Sequence, residues 1–290
     1  FSFVEERWEH ELAGNANPIK LLNPIASQMN VMRSSLLGSL LQVLKFNLDR
    51  KAPRVNVFEV GRVFLRDPGS QNTDTTVAGF NQPMRVSGLA YGPRAEQSWS
   101  QPSKAADFFD IKGDVETLLA PLPAVFTPAQ HPAMHPGRCA SVSVDGRAIG
   151  FVGELHPKWR QGYELAQAPL LFELELDAVL ERQVAIFEPV SKLQPVERDI
   201  AVIVSEAVTH AALMAAIHTA ATQGLLKSAV LFDVYRPQQG STSMQMGEKS
   251  LAVRLVLSSE TATLTEENIE AVVQTVVAAL QHSLGARLRS

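Results

Sequence analysis

The C-terminal third of the chain carries an alternation of elements that few architectures satisfy. Residues 198–204 (Arg-Asp-Ile-Ala-Val-Ile-Val) alternate and are rich in β-branched side chains, the mark of a strand. Thr209 is placed to cap a helix on which Leu213, Ile217, Ala220 and Ala221 recur at helical spacing, and Gly224 is a natural stop. Strand-like runs at 229–235 and 250–257 flank a polar loop at 237–243. Thr265 opens a second helix, with Glu266 and Glu267 at the positive end of its dipole. Ile269, Val272, Val273, Val276, Val277, Leu280 and Leu284 form its apolar stripe, Gly285 ends it, and residues 286–289 can make a last short strand.

The order β-α-β-β-α-β is the ferredoxin-like split βαβ arrangement. Its four-stranded antiparallel sheet buries one face under both helices and leaves the other free. The preceding region is less regular. Leu36, Leu37, Leu40, Leu41, Leu44 and Leu48 make a helical stripe behind Ser34 and Ser35. Residues 54–65 read as a long strand, apolar on both faces and therefore expected at the centre of a sheet. Residues 141–144 and 148–152 bracket Asp145-Gly146, a hairpin signal. Phe172, Leu174 and Leu176 alternate with Glu173 and Glu175, which predicts a half-exposed strand with its carboxylates in water, as for Glu266/Glu267. The whole is α+β: a mixed or antiparallel sheet with helices over residues 1–186, then the βαββαβ domain over 187–290, with the boundary near Phe187.

Composition is ordinary for a globular protein, with 46% hydrophobic and 19% charged residues. No apolar run reaches the ~18 residues of a membrane-spanning helix. The chain begins Phe1-Ser2-Phe3-Val4-Glu5-Glu6, without an initiator Met or a basic-then-apolar leader, and reads as the middle of a strand cut from a longer protein. The single Cys139 has no internal disulfide partner and fits a reducing compartment.

The net charge of −4 argues against a uniformly basic nucleic-acid binder. From residue 187 onward the chain has eight Lys and Arg against ten Asp and Glu, so any RNA site must be a local patch. Arg198, Tyr235, Arg236, Lys249, Arg287 and Arg289 sit in or at the ends of the predicted strands. There Tyr235 can stack on a base while the cations meet phosphates. The competing reading has Tyr235 partly in the core and the arginines paired with Asp199, Asp233 or Glu248. No Walker loop or dinucleotide fingerprint is present. Cys139 lies near His131 and His135, but His131, His135 and His156 each precede a proline, which favours turns over a metal or nucleophile site.

Several runs, in order, resemble the C-terminal part of the bacterial phenylalanyl-tRNA synthetase β subunit family. They are Asn23-Pro24-Ile25, residues 32–37 (MRSSLL), 57–64 (VFEVGRVF), 107–116 (DFFDIKGDVE), 135–138 (HPGR), 150–157 (GFVGELHP), 198–202 (RDIAV), 231–235 (LFDVY) and 249–252 (KSLA). The resemblance implies a degenerate class II synthetase core that packs against a catalytic α subunit in an (αβ)2 assembly. It also implies a ferredoxin-fold anticodon-binding domain that contacts tRNA(Phe), and a cytoplasmic location. ATP and magnesium would be used by the holoenzyme, with no cofactor, catalytic residue or metal ligand on this chain. The family's editing module lies outside this stretch.

In the catalytic subunit of that family, an arginine that grips ATP follows a Gly-Arg-Val-aromatic run. Here Gly61-Arg62-Val63-Phe64 is followed by Leu65. Arg66 comes one residue later, on the other face of an extended strand. No counterpart of the third class II motif is visible either. Exposed apolar surface should remain on the first region where its partner packs. Two alternatives keep the same fold class: an amino-acid-sensing regulatory protein without RNA binding, and an independent enzyme built on the His-Pro region. With two motifs missing, Leu65→Arg is expected to leave ATP–pyrophosphate exchange at background. Measurable exchange by that variant alone would contradict the reading.

Overall fold

A computed structural model describes residues 2–74, 76–181, 186–187, 191–237 and 244–289. Two compact units form, residues 1–184 and residues 185–290. Most of the polar loop expected at 237–243, and part of the stretch around Phe187, lie outside the described residues.

In the first unit β1 (Phe3–Val4) pairs with β2 (Val31–Met32), with the one-turn helix α1 (Glu6–Trp8) between them. Helix α2 (Leu37–Leu48) and β3 (Val55–Arg62) follow. A ribbon of β4 (Leu65–Arg66) and β5 (Phe80–Asn81) precedes β6 (Met84–Tyr91) and α3 (Phe108–Leu119). Next come β7 (Ala124–Pro128), β8 (Met134–Val144), β9 (Arg147–Leu155), α4 (Pro157–Gly162), β10 (Leu170–Glu175) and α5 (Leu176–Leu180). The main sheet has the order β3-β6-β10-β9-β8-β7, antiparallel throughout. Asp145 and Gly146, with φ of 49° and 77°, make the two-residue β8–β9 turn, as the Asp-Gly signal requires.

A helix covers each face of this sheet. Leu170, Phe172 and Leu174 of β10 join Ile111, Val115 and Leu119 of α3 in one core. Leu171 points the other way and joins Leu37, Leu40, Leu41 and Leu44 of α2. The expected half-exposed strand is therefore buried on both sides. Glu173, read as solvated, is only 1% exposed. Its carboxylate accepts from Ser35 Oγ at 2.9 Å and from the Leu36 amide at 2.6 Å, and it meets Arg85 Nη1 at 2.5 Å. Leu36, at the N-cap of α2, has no capping side chain of its own. A carboxylate distant in sequence fills that role and also compensates the positive end of the helix dipole. Glu175 is exposed, as read.

β3 also departs from expectation. It ends at Arg62 and forms the outer edge of the sheet, not its centre. Val55 and Val57 pack on the α2 side. On the α3 side Phe58 is 76% and Val60 45% exposed, because that helix packs chiefly over β9 and β10. Two-sided apolarity marked a strand with one real core face and one uncovered face. Phe58, Gly88 and Phe172 form one cross-strand row. A Cβ on Gly88 would strike the Phe172 ring, so glycine is needed where that ring crosses β6.

The second unit contains β11 (Val196–Ser205), α6 (His210–His218), β12 (Leu226–Tyr235), β13 (Glu248–Leu257), α7 (Glu266–Leu284) and β14 (Arg287–Leu288). The sheet order is β12-β13-β11-β14, antiparallel, with the core on the helix side. This is the βαββαβ topology read from the sequence. Thr265 and Asn268 close a capping box, and Gly285 ends α7 at φ 62°. Helix α6 stops well before Gly224: the Thr219 hydroxyl donates back to Ala215 O at 2.8 Å, and Ala220 reaches the core from beyond the helix.

Replacing Glu173 by Gln keeps its shape but strands the Arg85 charge beside a neutral amide. A loss of about 3–5 kcal/mol is expected, as for breaking a buried ion pair. Urea unfolding of the first unit would read it, and a loss below about 1 kcal/mol would show the carboxylate to be dispensable.

Candidate nucleic-acid interface

Strand alternation decides which side chains of the second unit meet water. Ile200, Val202 and Val204 of β11, and Leu251, Val253, Leu255 and Leu257 of β13, point under the helices. Their neighbours Asp199, Ala201, Ile203, Ser250, Ala252 and Arg254 therefore lie on the other face, where Ile203 and Ser250 are nonetheless buried and the register pairs Asp199 with Arg254 and Tyr235 with Ser250. Arg287 pairs with Ile203, also on this face.

Two cation–aromatic contacts stand on this free face. The Arg289 guanidinium lies 5.0 Å from the centre of the Tyr235 ring, and that of Arg254 5.4 Å from Phe232. Arg254 also grips Asp199 through two bonds of 2.9 Å. That pairing holds the Asp199 carboxyl below its usual range and raises the arginine further. Phe232 is 53% and Tyr235 40% exposed, so neither ring is used up by the core.

The six residues singled out from the sequence separate into three groups. Tyr235, Arg287 and Arg289 gather on the free face. Arg236 and Lys249 converge on Glu206: Arg236 binds its carboxylate at 2.8 Å, which lowers the Glu206 carboxyl, and Lys249 Nζ donates to its carbonyl at 2.8 Å. Arg198 falls in register with Leu255, on the helix side, and pairs with Glu266 at 2.8 Å. Arg287 pairs with Glu248 at 2.5 Å, as the competing reading anticipated. Among the described residues, Arg289 is the member of the six that meets an aromatic ring and no carboxylate. Phe232 and Arg254 were not singled out. Arg254 interrupts the buried Leu251, Val253, Leu255, Leu257 series at a free-face position, a signal present in the sequence. Phe232 is displaced by an irregularity between Leu231 and Asp233, which alternation does not reveal.

In the first unit a polar row crosses the α2 side of the sheet: Glu59, Ser87 and Glu173 stand in register, and Phe151 ends the row. The arginines on this side are occupied internally, Arg33 by Glu59 at 2.5 Å and Arg85 by Glu173. Arg66 donates to the carbonyls of Asn17 and Pro18 and leans over Phe80. The three His-Pro pairs share one local hydrogen bond, in which Nδ1 of His131, His135 and His156 accepts the amide two residues on, at 3.2, 3.0 and 3.0 Å, although only the first enters a turn, the second lying within β8 and the third capping α4. Cys139 is buried, which raises its thiol, and no cluster of metal-ligating side chains occurs among the described residues. No helix of the described residues is long and apolar enough to cross a membrane.

The first unit is thus a six-stranded antiparallel core, and the second has ferredoxin-like topology with cations and aromatic rings on the face away from its helices. Comparison with known families agrees. Residues 1–176 match the phenylalanyl-tRNA synthetase β chain CLM domain, and residues 191–289 the ferredoxin-fold anticodon-binding domain. The chain is 49% identical over its whole length to the phenylalanine–tRNA ligase β subunit of Cupriavidus pinatubonensis, of which it covers 36%. It is 50% identical to that of Chromobacterium violaceum and 45% identical to that of Neisseria meningitidis serogroup B, in each case over all of this chain and 35% of the relative. The chain belongs to the phenylalanine–tRNA ligase β subunit family and spans about a third of the length of these relatives.

Burial, with a contribution from Arg85, pushes the His131 imidazole down to about 4. The folded state therefore binds fewer protons than the unfolded state between that value and the ordinary one of about 6.5. Stability is full above pH ~6.5 and falls as pH drops through this window. His131→Asn, which keeps an acceptor for the Ala133 amide, is expected to flatten the fall. An unchanged pH dependence of the melting temperature would assign it to other groups.

Proposed function

We propose that this chain is the non-catalytic C-terminal portion of a phenylalanine–tRNA ligase β subunit. It pairs with a catalytic α subunit in an (αβ)2 assembly and holds tRNA(Phe) near the anticodon, in the cytoplasm. The observation that carries the RNA part is the Tyr235–Arg289 contact on the free sheet face of a unit that matches an anticodon-binding family. An exposed ring backed by an arginine with no carboxylate partner among the described residues offers a base a stacking platform and a phosphate a cation. Arg287 stands beside it, and Phe232 with Arg254 extends the surface, although Asp199 and Glu248 neutralise part of its charge. Arg198, Arg236 and Lys249 stay in the proposal as flanking contacts and must exchange their present carboxylate or carbonyl partners to meet RNA. The domain limits 1–186 and 187–290 belong to the same reading.

The first unit supplies a scaffold and no adenylate chemistry. Its sheet-face arginines are paired with Glu59 and Glu173, and Arg66 is bound to main-chain carbonyls, so these residues do not fit a nucleotide. ATP and magnesium are then used by the catalytic partner. Nothing in the geometry favours an amino-acid sensor.

The two parts of the proposed platform have separable signatures. Tyr235→Ala should weaken tRNA binding by about 1–3 kcal/mol at each salt concentration, the cost of removing a stacked ring. Arg287→Ala with Arg289→Ala should also flatten the log–log salt dependence, by roughly 0.7 for each phosphate no longer neutralised. Unchanged affinity and slope in both variants would remove this face from the tRNA footprint.

A further inference from the structure

The uncovered side of β3 has the form of a receptor for one more strand. β3 is paired only with β6, and among the described residues no other main-chain group bonds its backbone from residue 55 to 61. Natural sheets protect such an edge with charge, proline or a bulge. This one carries charge at Glu59 and Arg62 but has no proline or bulge, and it presents Phe58 and Val60 to solvent on an eight-residue strand with unbroken register.

Beside it runs a cleft of about 540 Å³, walled by Phe58, Val60, Leu118, Phe172, Leu176 and Val179. It continues, through Asn56, Ala90, Asp114 and Thr117, into a polar hollow of about 380 Å³ bordered by Arg54, Arg94 and Asp110. Arg94 is satisfied by Asp110 at 3.0 Å. Arg54 donates through Nη2 to Arg94 O at 3.2 Å, and its Nε is shut away from water. A guanidinium N–H is a donor only, so a group that enters this hollow meets Arg54 with an oxygen acceptor.

We propose that an extended segment of the partner catalytic subunit adds to β3 as an outer strand. Alternate apolar side chains enter the Phe58–Val60 cleft, and a carbonyl or carboxylate oxygen reaches Arg54. The proposal rests on the heteromeric reading above and adds to it the place and the form of the contact. Main-chain pairing fixes the backbone of the incoming segment, and the cleft selects every second side chain. A second copy of this chain fits less well. Symmetric pairing of two β3 strands about Phe58 would set Arg54 of each against Arg62 of the other, and like charges directly opposed in a sheet repel.

The test uses the full-length β subunit and its α subunit. Amide exchange of residues 55–62 should slow on α-subunit binding. Phe58→Asp should weaken association at least about tenfold, as for a central apolar contact, while Phe58→Leu should retain it. Phe58 is exposed, so the Asp variant should keep the wild-type melting temperature of isolated β. Association with unchanged β3 exchange and full tolerance of Phe58→Asp would overturn the strand addition and leave the heteromeric reading standing. Failure of the two subunits to associate at all would remove both. Concentration-dependent self-association of β that Phe58→Asp abolishes would assign the edge to a second copy and overturn the proposal.

Discussion

The Glu173 carboxylate is the constraint on which the first unit is organised. It sits on a central strand in a fully covered position, where an unpaired charge would be untenable. Three groups from two places converge on it: the Ser35 hydroxyl, the Leu36 amide and the Arg85 guanidinium. The first two belong to the start of α2, so this one contact fixes where that helix begins and how it lies on the sheet. Its leucine face then closes the second core. The same contact keeps the Arg85 guanidinium occupied inside the first unit.

The second unit follows a different logic. Its helices both cover one face, and alternation places on the other whatever the core rejects. That face is not simply basic: Asp199 and Glu248 hold Arg254 and Arg287 in place. Fixed partners hold these cations in place, which would reduce the entropy cost of binding in the RNA role proposed for this face.

Much of this was legible in the sequence. The βαββαβ order, the Thr265 cap, the Gly285 stop and the Asp145-Gly146 turn each depend on short-range chemistry. Of the three His-Pro pairs read as turns, His131-Pro132 enters one, His135-Pro136 lies within β8 and His156-Pro157 opens α4. What failed depended on coverage by distant segments. Glu173 reads as a solvated carboxylate because nothing within ten residues shows that α2 will lie over it. β3 reads as central because two-sided apolarity marks either a buried strand or an edge with an uncovered face. The Tyr235–Arg289 contact spans the width of a sheet, and only the register shows which of the six singled-out residues can meet.

Gly88 has a consequence of its own. It stands between Phe58 and Phe172 in a row across three strands, and the absence of its side chain lets the Phe172 ring lean into the space. The depth of the hollow beside the outer strand is thus set by a missing atom. A methyl group there would evict the ring and raise the floor of the cleft, with Phe58 left as a lone ring on a flat surface.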